Sequence, residues 1–235
     1  MARNKTFVLL MAALAAALAA SSFATASSAR GGKLKGAVHA DVNVIARDGT
    51  ATSFALDHGK VTALSSSSLT IVRADKQSLT FALGSTTTAR GNLRVGSRVL
   101  VTSQGGSAVQ VTTGRRLKAN GNTLSLNGVL RLVPGSQSAN RRGKARKLAQ
   151  AVHVDYRLLL ANGTTQTLAV DKGTIASAST SSLALKRADG PTVTFVLNSS
   201  TKVRGVLAPN AKAVVTSRDG TALIVRAGGK QNNRR

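Results

Sequence analysis

Cysteine, tryptophan and glutamate are absent from this chain of 235 residues, and aromatic residues make up only 3% of it. The lack of cysteine excludes disulfide bonds, thiolate metal sites, a thiol nucleophile and a lipidated N-terminal cysteine. It does not decide the compartment, because exported chains can lack disulfides. The scarcity of aromatic side chains leaves few platforms on which nucleic-acid bases could stack. Val, Leu, Ile, Ala, Ser, Thr and Gly are abundant instead, a mixture typical of short strands and turns.

Acidic residues are also scarce, since eight Asp stand against 33 Lys and Arg, which gives a formal net charge of +25. A chain this basic is attracted to polyanions such as nucleic acid, acidic wall polymers or anionic membrane surfaces. Charge alone does not choose among these partners. The composition therefore predicts a class of ligand and leaves its identity open.

The N-terminus has the pattern of a secretory signal peptide. A basic start precedes the apolar residues 7–20, and Ala24-Thr25-Ala26 is a small-x-small cleavage pattern. We predict that residues 1–26 form a signal helix that is removed, which would leave a secreted or envelope-associated protein without a stable membrane span. The alternative is an uncleaved membrane anchor, because residues 7–26 are about long enough to cross a bilayer.

An internal duplication decides the predicted architecture. Residues 37–113 and 151–227 align without a gap at a shift of 114 positions, and 30 of the 77 aligned residues are identical. Each unit is long enough to form its own core, unlike a short solenoid repeat. The predicted organisation is a signal peptide (1–26), a basic N-terminal stretch (27–36), repeat 1 (37–113), a basic connector (114–150), repeat 2 (151–227) and a basic tail (228–235).

Both repeats have the pattern of short strands joined by tight turns. Val38, Ala40, Val42 and Val44 alternate with other residues, as in a strand with one buried face. Asx-Gly and Gly-Gly pairs separate many of the apolar runs and favour hairpins. We predict an all-β chain with two tandem small antiparallel barrels. The matching Gly91 and Gly205 are expected at backbone positions with positive φ or a close backbone approach.

Residues 58–112 and 172–226 carry a recurring pattern that resembles a known family. The shared pattern includes Thr-Phe-x-Leu, then Thr-x-x-Arg-Gly-x-Leu, then Val-Thr-Ser and a closing strand. It is similar to the DUF5666 family of small β-barrel domains in exported bacterial proteins. Repeat 1 keeps the family's turn at residues 95–99, whereas repeat 2 has a different sequence at residues 209–213. The resemblance implies OB-like barrels and export, and it implies no activity and no functional residues.

Most of the positive charge lies outside the two repeats. Fifteen of the 23 net charges of the chain after residue 26 belong to residues 27–36, 114–150 and 228–235. Within the connector, residues 124–132 have a hairpin pattern around Asn127-Gly128, and residues 135–147 are predicted to be a mobile loop. The candidate polyanion-binding residues of this loop are Arg141, Arg142, Lys144, Arg146 and Lys147. A solvated linker without a ligand is the alternative.

No catalytic, cofactor-binding or metal-binding site is predicted from the sequence. His39 and His153 are equivalent, and each stands two residues before an aspartate, Asp41 or Asp155. Residues two apart share one face of a strand, so we expect a His–Asp hydrogen bond with a structural role. A metal site or an acid–base site would need further converging ligands. The sequence also lacks nucleophile-elbow, Walker and dinucleotide-binding patterns.

These observations favour an exported, non-enzymatic β-barrel protein that binds anionic envelope or extracellular polymers through its basic connectors. A scaffold or protein-interaction module is one alternative, and a nonspecific nucleic-acid binder is another. After residue 26 the aromatic residues are Phe54, Phe81, Tyr156 and Phe195. The three Phe have core-facing positions in the strand pattern, so Tyr156 alone would remain for base stacking.

Overall fold

The computed structural model describes residues 36–115, 129–130, 132–133, 137–139, 145–147 and 149–228. The predicted signal peptide, the basic N-terminal stretch before Gly36, most of the connector and nearly all of the tail lie outside the described residues. No described helix is long and apolar enough to span a membrane. Strands dominate the described residues, which confirms the all-β prediction.

The strands follow the duplication closely. Repeat 1 comprises β1 (Ala37–Ala46), β2 (Ala51–Leu64), β3 (Ser68–Arg73), β4 (Ser78–Ala82), β5 (Thr88–Arg90), β6 (Arg98–Gln104) and β7 (Ser107–Thr113). The connector contributes β8 (Gln137–Ala139) and β9 (Ala145–Lys147). Repeat 2 comprises β10 (Ala149–Leu159), β11 (Thr165–Ala178), β12 (Ser182–Arg187), β13 (Thr192–Val196), β14 (Lys202–Arg204), β15 (Lys212–Arg218) and β16 (Thr221–Ala227).

Five strands of repeat 1 close into a barrel. The pairs β2–β3, β3–β4, β6–β7 and β2–β6 are antiparallel. The ring closes through β4 and β7, which pair in parallel where Ala82 faces Ser107. The prediction of a purely antiparallel barrel is therefore wrong at the closing pair, because β4 and β7 run in the same direction. The barrel encloses a core of eight buried residues: Val61, Leu69, Ile71, Phe81, Val99, Val101, Ala108 and Val111.

The equivalent strands of repeat 2 make the same pairings. β11 pairs with β12 and β15, β12 with β13, and β15 with β16, while β13 and β16 meet in parallel at Val196 and Thr221. Their buried residues include Phe195, the counterpart of Phe81. Gly205 has a φ of +92°, and a Cβ at this position would overlap the Ala227 carbonyl oxygen. Both properties predicted for this glycine are thus present, and they let β14 approach β16.

The two repeats share one sheet and a third core. β1 and β10 pair antiparallel along their length, so the sheet continues from one repeat into the other. The alternation predicted for β1 places Ala40, Val42 and Val44 in this core, where Tyr156 and Val154 of β10 also lie. The core between the repeats therefore depends on residues from both copies, and neither copy forms it alone.

The connector covers part of this third core. Val129, Leu130 and Val133 are buried in it, and the Thr102 hydroxyl donates a hydrogen bond to the Leu132 carbonyl over 3.2 Å. Val129 and Leu130 have helical backbone, so the strand expected after Asn127-Gly128 is not formed there. The first half of that predicted hairpin lies outside the described residues.

The segment 135–147, predicted to be a loop, contains two short paired strands. β8 and β9 form a separate antiparallel pair, in which Gln137 faces Lys147 and Ser138 faces Arg146. The loop prediction is therefore wrong for these two strands. Period-2 alternation could not reveal them, because each has only three residues.

Candidate functional site

One face of the β1–β10 ribbon is lined with polar and charged residues. Val42 and Val154 point into the core between the repeats, so their neighbours Asp41, Asn43, His153 and Asp155 lie on the opposite face. Neighbouring strands add buried charged residues to this face. Burying a charged group is costly unless it is paired, so each of these residues needs a partner.

The first polar network joins three strands of repeat 1, β1, β2 and β3, and the turn after β3. The His39 ring contacts two carboxylates, with Nδ1 at 2.8 Å from Asp57 Oδ1 and Nε2 at 2.9 Å from Asp41 Oδ2. Arg73 Nη1 donates a hydrogen bond to the same Asp57 oxygen at 2.8 Å. Its Nε and Nη2 atoms donate to the two carboxylate oxygens of Asp75 at 3.0 and 2.7 Å. Asp57 and Arg73 are almost fully buried, so each neutralises the other inside the fold.

The second network repeats the first, residue for residue. His153 contacts Asp171 and Asp155 at 2.7 and 3.1 Å. Arg187 donates to Asp171 at 3.0 Å and to both oxygens of Asp189 at 2.9 and 2.6 Å. The predicted His–Asp hydrogen bonds are therefore confirmed in both repeats. Each histidine, aspartate and arginine of the first network therefore has an equivalent with the same contacts in the second, and we interpret both networks as structural.

Both histidines favour the charged imidazolium. Burial lowers the pKa of His39, but the hydrogen bonds and negative charges of Asp41 and Asp57 outweigh it and raise that pKa to about 9. The same opposing effects raise the pKa of His153 to about 9. Because both ring nitrogens of each histidine face a carboxylate, each ring donates twice. Neither histidine retains a free nitrogen for a metal or a substrate proton.

Two contacts tie the networks to the opposite repeat. The Gln77 Oε1 atom accepts from Arg73 Nη2 at 2.6 Å and from Arg157 Nη1 at 3.4 Å. Asn43 of repeat 1 is the equivalent of Arg157. Its Nδ2 atom donates to Asp189 Oδ2 of repeat 2 over 3.4 Å. The two networks therefore lie on the same face of the ribbon, one beside β1 and the other beside β10, and each contacts a residue of the opposite repeat.

Arg73, Arg187, Asp57 and Asp171 are the members of these networks that the sequence analysis did not identify. The signal for the two arginines was present in the matching Arg-Ala-Asp segments at residues 73–75 and 187–189. Asp75 and Asp189 lie in the turns after β3 and β12, and each is the bidentate partner of the arginine that ends the preceding strand. No cluster of His and Asp that could hold a metal ion occurs among the described residues.

Most of the acidic residues of the protein belong to these two networks. Six of the eight Asp belong to them, and only Asp48 and Asp219 do not. Among the described Lys and Arg residues, Arg73 and Arg187 are the two that take part in these ion pairs. The negative charge is therefore concentrated at the ribbon, and the rest of the described surface is strongly basic.

The candidate basic cluster of the connector is only partly described. Arg141, Arg142 and Lys144 lie outside the described residues, and Arg146 and Lys147 are placed on β9 by their backbone. The structure thus puts two of the five candidates on one short strand, facing Ser138 and Gln137 of β8.

The aromatic residues of the described chain point inward. Tyr156, Phe81 and Phe195 are at most 5% exposed, and Phe54 packs against the core between the repeats. Tyr156, which the strand pattern left as the remaining stacking candidate, is 1% exposed. No described aromatic side chain therefore offers a platform for a nucleic-acid base.

Comparison with protein-family models gives no match, and comparison with curated proteins gives no relative.

Proposed function

We propose that this is an exported, non-enzymatic protein that binds anionic polymers of the cell envelope or the extracellular space. In this proposal residues 1–26 direct export, and the two repeats are tandem OB-like barrels of the DUF5666 type. The observation that carries the proposal is the use of six of the eight Asp in intramolecular ion pairs, four of them with buried side chains. The basic surface is left with few carboxylates of its own to compete with an anionic ligand.

The inward position of the aromatic residues supports a polymer without bases. Single-strand nucleic-acid binders combine a basic groove with stacking aromatic side chains, and no described aromatic residue here is placed for stacking. A polymer with repeating phosphate or carboxylate groups needs only the cations. Phosphate and carboxylate both suit Arg and Lys, which bind them by charge-assisted hydrogen bonds.

A structural role for the two networks supports the non-enzymatic part of the proposal. Their histidines and arginines are saturated by internal carboxylates. General acid–base catalysis requires a group that can reach a substrate proton. The proposed function therefore rests on surface charge and not on a reacting centre.

Binding of the protein from Ser27 onward to anionic polymers tests the proposal. The probes are poly(glycerol phosphate), polyglutamate and single-stranded DNA, each titrated from roughly 50 to 200 mM salt. We expect steeply salt-dependent binding to the two base-free polymers that is at least as strong as binding to DNA of equal charge.

Two variants assign the contribution of the connector. The first replaces Arg141, Arg142, Lys144, Arg146 and Lys147 with Gln. The charge-matched control replaces five exposed cations of repeat 1 with Gln: Arg47, Lys60, Lys76, Arg94 and Arg98. A larger loss in the connector variant supports binding through the connector. Absence of binding to every probe at low salt contradicts the proposal, and preference for DNA would favour the nucleic-acid alternative.

A further inference from the structure

We infer that repeat 2 carries the principal polymer-binding surface among the described residues, along β14, β15 and β16. This surface, called here the cationic edge, consists of Lys202, Arg204, Lys212 and Arg226. The inference deepens the proposed function, on which it rests, by placing the site on one repeat.

Strand register brings the four cations together. β14 pairs in parallel with β16, so that Arg204 lies beside Arg226, and Lys202 lies beside Ile224. Adjacent strands are about 4.8 Å apart, and alternate residues of one strand share a face. Lys202, Arg204 and Arg226 are therefore neighbours on the outer side of the sheet. All three are exposed.

Lys212 extends the same surface onto β15. Val214 pairs with Arg226, and Lys212 stands two residues before Val214, so it shares that face. The Gly228 amide donates to the Lys212 carbonyl at 3.0 Å, which holds the end of β16 against the start of β15. Lys212 is exposed. The cationic edge thus spans three neighbouring strands.

Local acidic residues do not compensate this edge. Between residues 190 and 235 the only acidic residue is Asp219. It lies in the turn between β15 and β16, seven residues before Arg226. At about 3.3 Å per residue this places Asp219 far from Arg226. The edge is therefore a region of uncompensated positive charge.

Repeat 1 lacks half of these cations. The residues equivalent to Lys202, Arg204, Lys212 and Arg226 are Thr88, Arg90, Arg98 and Thr112. β5 pairs with β7 in the same parallel register, with Arg90 beside Thr112. The backbone is thus the same in both repeats, and the difference lies in the side chains alone. An edge needed only for folding does not require the two additional charges.

An exposed apolar side chain accompanies the additional charges. Val206 is 76% exposed and replaces Asn92 of repeat 1, whereas Val203 lies beside the buried Val225 on the opposite face of β14. No described strand pairs with the outer side of β14. A linear polymer with oxyanions on an aliphatic backbone matches this combination, since the anions meet Lys and Arg and the aliphatic groups meet valine.

The test exchanges residues between the two repeats in the full chain from Ser27. The loss variant carries Lys202→Thr and Arg226→Thr, which are the residues that repeat 1 already accommodates. The gain variant carries Thr88→Lys and Thr112→Arg. A charge-matched control carries Arg47→Gln and Arg94→Gln, two exposed cations of repeat 1 outside the equivalent edge. Poly(glycerol phosphate) and polyglutamate are the probes, and thermal unfolding checks that each variant folds.

We expect the loss variant to bind at least about tenfold more weakly than the charge-matched control at low salt. On poly(glycerol phosphate) the slope of log K against log salt should become shallower by about 1.4, because two phosphate contacts are lost. The gain variant should bind more tightly than the wild-type protein. The probe for which the loss variant loses more affinity identifies phosphate or carboxylate as the preferred oxyanion.

The outcomes separate this inference from the proposed function. If the wild-type protein binds and the loss variant equals the charge-matched control, the cationic edge is not the site, and polymer binding through the connectors survives. An unchanged gain variant also contradicts the inference, even if the loss variant fails to fold. If the wild-type protein binds no probe at low salt, the proposed function itself is wrong.

Discussion

Asp41 of β1 and Asp155 of β10 face each other directly in the antiparallel pair that joins the two repeats. The register is symmetric about them, because His39 faces Arg157 on one side and Asn43 faces His153 on the other. Two like charges directly opposite on a sheet are destabilising by themselves. Each carboxylate is compensated by the histidine of its own strand, at 2.9 and 3.1 Å.

The first prediction concerns the pH dependence of stability. The pKa of His39 and of His153 is raised to about 9 in the folded protein, from 6.5 for an ordinary histidine. A raised folded-state pKa contributes stability that is complete below pH 6.5 and is lost as the pH rises through 9. Each histidine should contribute roughly 3 kcal/mol to the free energy of unfolding at low pH.

Urea unfolding from pH 6 to pH 9.5 measures this dependence. The double variant His39→Gln and His153→Gln should be less stable at pH 6 and should show a flatter profile between pH 6.5 and 9. A wild-type free energy of unfolding that stays constant over this interval would show that the histidines are not charged in the fold.

The second prediction concerns the buried carboxylates. Asp57 accepts hydrogen bonds from both His39 and Arg73 and is 2% exposed. Asp57→Asn removes the charge that neutralises the buried Arg73, so we expect a loss of about 3 to 5 kcal/mol in the free energy of unfolding. Asp171→Asn should behave alike in repeat 2. Asp48→Asn, in an exposed turn, is the control and should change stability little, and equal effects at all three positions would refute the buried-pair explanation.

The third prediction uses the one tyrosine. Tyr156 lies in the core between the repeats, and its buried hydroxyl has no hydrogen-bond partner among the described residues. Burial also raises the pKa of this phenol well above its usual value. Tyr156→Phe removes an unsatisfied polar group, so we expect stability to rise by about 1 kcal/mol. Tyr156→Val, the residue of the equivalent Val42, should instead lower stability by about 3 kcal/mol or more because it leaves a cavity.

Thermal and urea unfolding of both tyrosine variants provide the measurement. A loss of stability in Tyr156→Phe would mean that the hydroxyl has a partner and that this account of the core is wrong.

The fourth prediction separates backbone conformation from close packing at glycine. Gly205→Ala meets both a positive φ and the Ala227 carbonyl. Gly163→Ala meets a similar φ of +83° with no atom within 4 Å of the added Cβ. Gly163→Ala is therefore the control and should lower the free energy of unfolding by about 1 to 2 kcal/mol through the backbone conformation alone. Gly205→Ala should lower it clearly more. Equal unfolding midpoints for the two variants would show that β14 does not need its close approach to β16.

Local sequence patterns were sufficient for much of the fold. The alternation of Ala40, Val42 and Val44 predicted a half-buried strand, and these residues do lie in a core. The gapless duplication predicted equivalent strands, and the pairings of β2–β7 recur in β11–β16. His39 and Asp41 were predicted to interact because residues two apart share a strand face, and they do.

Contacts distant in sequence could not be predicted in the same way. His39 and Asp57 are 18 residues apart, and Arg73 and Asp57 are 16 apart. Their meeting depends on strand register, which periodicity does not specify between unlinked strands. No local sequence pattern predicted the helical backbone of Val129 and Leu130. Their position depends on burial in the core between the repeats, which is a contact with residues distant in sequence.

The sequence by itself determined the duplication, the all-β class, the excess of basic residues and the equivalence of the two histidines. Composition, periodicity and identity at a shift of 114 residues are properties of the chain and need no coordinates. The tertiary structure alone decided that β1 and β10 join the repeats into one sheet. It also decided that six carboxylates are used internally. The physical reason is that long-range pairing depends on which buried faces fit together, and single-strand patterns do not encode that choice.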